Sequence, residues 1–242
     1  MLGIVKRIMT GMVLLLLMPL TAWCIGWQWQ PAGDTLLLQG FWLVTQTVTS
    51  PWGLLTALIV TLWFFWCLRL RIKYTLGLLL LLWASVTVGQ GIKALIKEQV
   101  REARPFVSWL SIAAGINEKT FYALTGQQRS ELIRQQLNKH VLIPAWLGDN
   151  WQRESGFSFP SGHALFAATW ALWAAGLLWS RQCHKTVIAL MLWATGVMGS
   201  RLALGMHRPQ DLIASVIISA LLVTLFCVIF QRWSASGAIS VR

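Results

Sequence analysis

The sequence predicts an all-α fold: a polytopic membrane helical bundle of six transmembrane helices with a helical extracytoplasmic cap. Three observations predict it. The 242 residues are 56% hydrophobic and only 12% charged, with a mean hydropathy of +0.61, whereas soluble domains carry about 25% charged residues. Six apolar runs approach the ~20 residues that cross a ~30 Å hydrocarbon layer. Lys and Arg concentrate in short loops on alternate sides of those runs, which sets an orientation. Together these exclude a disordered tail, a disulfide scaffold and an ordinary cytosolic enzyme.

The first run, 8–29, follows Lys6 and Arg7. It is longer than a signal-peptide core and lacks a small-x-small cleavage site. Trp23, just before Cys24, puts a bulky ring where a lipoprotein signal needs a small residue, so an uncleaved first helix is expected. Segment 36–48 is apolar but short, and it carries Gln39, Thr45, Gln46 and Thr47; it reads as an interfacial or re-entrant helix. The next spans are 52–68 and 74–91. Residues 92–162 form the cap, with a helix-compatible stretch at 117–140 whose apolar members are Phe121, Leu124, Leu132 and Leu137. The last spans are 163–180, 186–204 and 212–230. Trp27, Trp29, Trp52, Trp179 and Trp233 fall beside span ends, where amphipathic rings prefer the interface. No internal repeat appears, and 1–242 reads as a single integral membrane domain.

Orientation follows from the short loops. Arg69, Arg71 and Lys73 separate the second and third spans, and Arg181 and Lys185 the fourth and fifth. Lys6 and Arg7 precede the first span, and Arg232 and Arg242 follow the last, whereas 27–51 holds no Lys or Arg. Positive-inside places both termini and the basic loops in the cytoplasm. The long cap then faces outward. The net charge of +12 does not indicate nucleic acid, because the basic residues are divided between inner loops and outer cap. Cys24, Cys67 and Cys227 lie in apolar runs and Cys183 in a basic loop, so no disulfide is expected. No Cys/His metal spacing appears; neither a metal nor another cofactor is expected.

Three clusters carry chemistry. Lys93, Lys97, Arg101 and Arg104 recur at i, i+4, i+8 and i+11, a cationic stripe if helical. Glu98 and Glu102 lie beside it and can tie some of that charge down. Pro105 biases Arg104 out of the helical region. Alone, the stripe suits anionic lipid headgroups equally well. The second cluster, Phe159-Pro160-Ser161-Gly162-His163, stands at a helix start, where free N–H groups receive an anion and Gly lets it approach. Alone, it is also an ordinary cap with an interfacial histidine. In the third, Ser200-Arg201 leads to His207-Arg208-Pro209-Gln210-Asp211. His207 and Asp211 are four apart, so on a helix Asp211 orients one imidazole nitrogen and frees the other to attack. Asp211 also reads as the only acidic residue near any of the last three spans. A simple interfacial ion pair is the plainer reading. Yet the orientation, set by other residues, brings all three clusters to one membrane face. Two histidines, one carboxylate and three to four cations form a phosphate site.

These residues also carry a resemblance. Lys97-x6-Arg104-Pro105, then Pro160-Ser161-Gly162-His163, then Ser200-Arg201-x5-His207-x3-Asp211 resemble the three-part signature of the type 2 phosphatidic acid phosphatase superfamily, in order, across 97–211. That superfamily comprises metal-independent lipid phosphatases, soluble acid phosphatases and vanadium haloperoxidases. Six Trp-rich spans look most like its bacterial inner-membrane lipid phosphatases. The resemblance implies His207 as nucleophile through a phosphohistidine, Asp211 as its orienting partner and His163 as general acid, then base. It implies Lys97, Arg104, Ser161, Gly162 and Arg201 as phosphate ligands. Phosphatidylglycerol phosphate, undecaprenyl diphosphate, phosphatidic acid and diacylglycerol diphosphate are the implied substrates, reached sideways from the bilayer. No obligate protein partner is implied. A lipid transporter with a cationic headgroup site is the alternative from another class; it leaves the His207–Asp211 pairing without a purpose.

Overall fold

The structure, a computed structural model, describes residues 2–137 and 143–239, the last four as backbone alone. Among the described residues the chain is all helical. Helix α1 covers Leu2–Cys24, α2 Leu36–Gln46, α3 Trp52–Leu68 and α4 Ile72–Val100. Four shorter helices follow: α5 Pro105–Ala114, α6 Glu118–Ala123, α7 Gly126–Leu137 and α8 Ala145–Arg153. Then come α9 Gly162–Leu177, α10 His184–Ala203 and α11 Pro209–Ile239. Four stretches are long and apolar enough to cross a bilayer: Leu2–Cys24, Ile72–Ala114 (α4 and α5 with the turn between them), His184–Ala203 and Pro209–Ala235. Trp52–Leu68 is apolar but shorter.

Helix α9 is the hub, packed against α1, α4, α10 and α11. It is apolar around its whole circumference and buried from Ala164 to Leu177 apart from Phe166, as expected of a helix enclosed by others. Its alanines let neighbours approach closely, and polar side chains tie the contacts. Ser215 Oγ of α11 donates to Ser161 O at 2.9 Å, and Ser219 Oγ to Leu165 O at 3.0 Å. Trp173 Nε1 donates to Ser85 Oγ of α4 at 2.9 Å. This ladder fixes the start of α9 against the start of α11, and so His163 against Asp211. Outward-facing Leu54, Leu58, Leu62 and Trp66 of α3 are exposed, the pattern of a lipid-facing surface.

A second apolar cluster lies under α5–α8, built from Phe106, Val107, Leu110, Phe121, Ile133 and Trp151 and joined by Leu38, Leu204 and Met206. Trp151 is its anchor. Its ring stacks on Phe106 at 4.7 Å and 8°, and its Nε1 donates to Leu204 O at 2.9 Å. Trp151→Ala opens a large cavity and removes a buried donor, a change that costs about 3–5 kcal/mol. Because Leu204 leads into the turn bearing His207, thermal unfolding in detergent and phosphatase activity should fall together.

Several expectations need correction. Helix α1 stops at Cys24 rather than 29, because Gly26 takes a left-handed conformation (φ 65°) and Trp27 N bonds back to Ala22 O, a Schellman-type ending. The stretch 117–140 is two helices. Leu124 is extended, and Thr125 and Gln128 cap α7 reciprocally: Thr125 N donates to Gln128 Oε1 at 2.9 Å and Gln128 N to Thr125 Oγ1 at 3.3 Å. That capping box is legible in the sequence. Residues 138–140 of that stretch lie outside the described residues. The cationic stripe is also broken. Helix α4 ends at Val100 and Arg101 turns left-handed (φ 51°), so Arg101 is exposed and leaves the stripe.

Candidate active site

The three clusters meet at one end of the bundle. Arg104 is the extended residue (ψ 150°) before Pro105 at the start of α5. This turns its guanidinium inward, where it is 4% exposed. Its Nε donates to Gly156 O at 2.7 Å and its Nη1 to Met206 O at 3.1 Å. Arg201, in the last turn of α10, is fully buried and donates through Nη1 to Thr45 Oγ1 at 2.9 Å. Lys97 donates to Phe157 O. A buried guanidinium is costly unless paired, so this concentration of charge demands an anion.

His207 is not on a helix, as its spacing from Asp211 suggested. Gly205 (φ 68°) folds the chain back after α10, and Met206 N and His207 N both bond to Arg201 O. A Cβ at Gly205 would press on the Trp29 ring at 2.7 Å, so only Gly fits this turn. Pro209 then opens α11, whose first turn supplies Asp211. His207 Nδ1 lies 3.0 Å from Asp211 Oδ2. That oxygen also accepts from Arg208 N at 3.0 Å and from the Ser158 hydroxyl. The pairing leaves His207 Nε2 facing Arg104 Nη1 at 3.5 Å. Burial first, then Arg104 and Arg201, push the His207 imidazole well below its usual range.

His163 begins α9 after Ser161, whose hydroxyl caps the helix by accepting from Ala164 N at 3.3 Å. His163 Nε2 lies 3.1 Å from Thr49 Oγ1. Gly162 packs under Lys93, where a Cβ would meet the Lys93 stem at 2.9 Å. Lys93 donates to Gln90 Oε1 at 2.8 Å.

Sequence reasoning missed Glu154. It caps the end of α8 and lies inside the cation ring: Oε2 is 2.5 Å from Arg201 Nη2 and 4.0 Å from Arg104 Nη2, and Oε1 is 3.7 Å from His163 Nε2. Asp211 is therefore not the sole acid of the last three spans. Burial alone would raise the Glu154 carboxyl, but Arg201, His163 and Arg104 outweigh it and hold it well below the usual carboxylate range. Its signal was position: it precedes Pro160 by six residues, and no acid intervenes before Asp211. Thr45, Thr49 and Ser158 were missed too; of the three only Thr45, a polar residue of the apolar segment 36–48, left a trace. Glu102 was expected to neutralise the stripe, but it pairs with Arg208 at 2.9 Å, because α4 ends before reaching it.

Among the described residues no group of three or more His, Cys, Asp or Glu side chains is placed to hold a metal ion. The arrangement offers a buried imidazole oriented by a carboxylate and facing Arg104, and a second imidazole joined to Arg104 and Arg201 through Glu154.

A family model described as the PAP2 superfamily matches residues 77–235 of the chain. Phosphatidylglycerophosphatase B of Escherichia coli (strain K12) is 49% identical over 230 residues, covering 95% of this chain and 91% of that protein. Phosphatidylglycerophosphatase B of Haemophilus influenzae is 32% identical over 225 residues, covering 90% of this chain and 92% of that protein.

Proposed function

The chain belongs to the PAP2 superfamily and is a lipid phosphate phosphatase of the membrane, and we propose that it hydrolyses phosphatidylglycerol phosphate to phosphatidylglycerol through a phosphohistidine. The observation that carries this reading is the placement of His207 Nε2 at Arg104, with Asp211 on Nδ1 and Arg201, Lys97 and His163 around the same space.

The proposed chemistry has two steps. The Nε2 lone pair of His207 attacks phosphorus as the P–O bond to the lipid breaks, and His163 gives that oxygen a proton. His163 then takes a proton from water, which attacks the phosphohistidine and releases phosphate and His207. Asp211 stabilises the positive imidazole of the intermediate. Lys97, Arg104 and Arg201, with Ser161 and the Gly162 N–H at the start of α9, hold the non-bridging oxygens. Phosphoryl transfer depends mainly on positioning and charge stabilisation, so fixed cations suffice for it. The same groups accept any terminal phosphate on an apolar tail. Undecaprenyl diphosphate, phosphatidic acid and diacylglycerol diphosphate are therefore proposed as further substrates, the first returning the peptidoglycan lipid carrier to use.

The charge pattern of the loops supports an inner-membrane protein with both termini cytoplasmic and this site on the periplasmic side, under a cap of α5–α8 that belongs to the same domain. A lipid then reaches the cations sideways, with its tails left in the bilayer. Purified protein in detergent with excess EDTA should release phosphate from phosphatidylglycerol phosphate and from undecaprenyl diphosphate. Release that stops with EDTA and returns with a divalent metal would remove the metal-independent mechanism.

A further inference from the structure

Glu154 is the one carboxylate among the cations that the proposed reaction does not use. Its oxygens lie 2.5 Å from Arg201 and 3.7 Å from His163, in contact with groups assigned above to phosphate and leaving group. Two anions cannot share those contacts, because like charges at that range repel strongly in a partly desolvated site. A phosphate on Arg201 therefore requires the carboxylate to leave. The Glu154 side chain is 20% exposed whereas Arg201 is fully buried, and Glu154 Oε1 is enclosed without a hydrogen-bond partner. The carboxylate is thus the less firmly held partner of the two and the one nearer solvent through its stem. Gly156 follows two residues later, and Lys93 lies beside Gly162.

We propose that Glu154 is a built-in competitor for the phosphate site, setting a threshold of affinity: its carboxylate holds Arg201 and Arg104 until a terminal phosphate displaces it. The inference rests on the phosphatase reading above. Its consequence is a threshold. Every anion binds more weakly by the fraction of time the carboxylate is out. A phosphodiester headgroup carries one charge, as the carboxylate does, and exchange between them gains little. A terminal phosphate monoester carries close to two, and retains useful affinity after the exchange. A site bathed in diester lipids thereby stays available for the scarce monoester.

The test is the sign of a change in anion affinity. Competitive inhibition of the full-length enzyme is measured with dimethyl phosphate (one charge) and inorganic sulfate (two), in wild type, Glu154→Gln and Glu154→Asp. In Glu154→Gln both inhibition constants should fall by a common factor of about tenfold or more, equivalent to about 1.4 kcal/mol, and KM for the lipid should fall with them. Dimethyl phosphate should become inhibitory at concentrations that wild type ignores. Glu154→Asp, which keeps the charge on a shorter arm, should tighten both anions less than Gln does. If Glu154 instead props Arg201 and Arg104 in place, both constants rise or stay put in Glu154→Gln, and the proposal is overturned. Equal tightening in Gln and Asp also overturns it, because charge is then not the cause. Equilibrium dialysis with radiolabelled sulfate reads the same constants without turnover. A wild type that binds sulfate but releases no phosphate would thus sink the phosphatase reading alone.

Discussion

His207→Ala should reduce phosphate release from every lipid substrate to background, a loss on the order of 10⁵-fold or more, since deleting the nucleophile of a covalent hydrolase costs about 10⁶. His207 Nε2 faces Arg104 at 3.5 Å while Nδ1 is held by Asp211, whereas His163 contacts Thr49 and Glu154. Folding should survive, because His207 packs in a turn whose backbone bonds run to Arg201 O. The measurement is acid-sensitive radiolabel on the protein after rapid quench with labelled substrate. Wild type should carry it and His207→Ala should not. Label retained in His207→Ala would place the covalent step on another residue.

His163→Ala should separate substrates by leaving group. General acid help is worth about 10²–10⁴-fold, and it matters most when the departing oxygen is a strongly basic alkoxide. With phosphatidylglycerol phosphate the first step should slow by that factor. With p-nitrophenyl phosphate, whose phenolate leaves unaided, the first step should be nearly spared. The second step then loses its base, so p-nitrophenol should appear as a burst near one equivalent of enzyme, followed by a slow phase as phosphohistidine accumulates. Equal loss on both substrates without a burst would remove His163 from the acid role. Thr49 and Glu154 flank His163 Nε2 at 3.1 and 3.7 Å, so that ring nitrogen is the one turned toward the cation ring.

The interior of the fold was legible where one property decided the outcome. Trp52–Leu68 matches its apolar run residue for residue, because no proline or charge interrupts it and Pro51 and the left-handed Arg69 bound it. Elsewhere a local residue overrode the hydropathy pattern: Gly26 shortened the first helix, and Thr125 with Gln128 divided the cap stretch. Those signals are printed in the sequence but weigh less than a long apolar run. Pro105 turned Arg104 into the site as the residue pattern implied, while the left-handed Arg101 removed itself from the stripe.

By itself the sequence determined the membrane bundle, the short α2 and the three clusters that carry His163, His207 and Asp211. These depend on composition, spacing and the sidedness of charge, all of which are one-dimensional quantities. Only the tertiary structure decided that Glu154 lies against Arg201, that Thr45 and Thr49 of segment 36–49 reach Arg201 and His163, and that Glu102 serves Arg208. The reason is physical. A guanidinium buried at 0% exposure takes whichever anion and hydroxyl the packing brings within 3 Å. That partner is chosen by how α2, α8 and α10 converge, across more than forty residues of chain that no spacing rule spans.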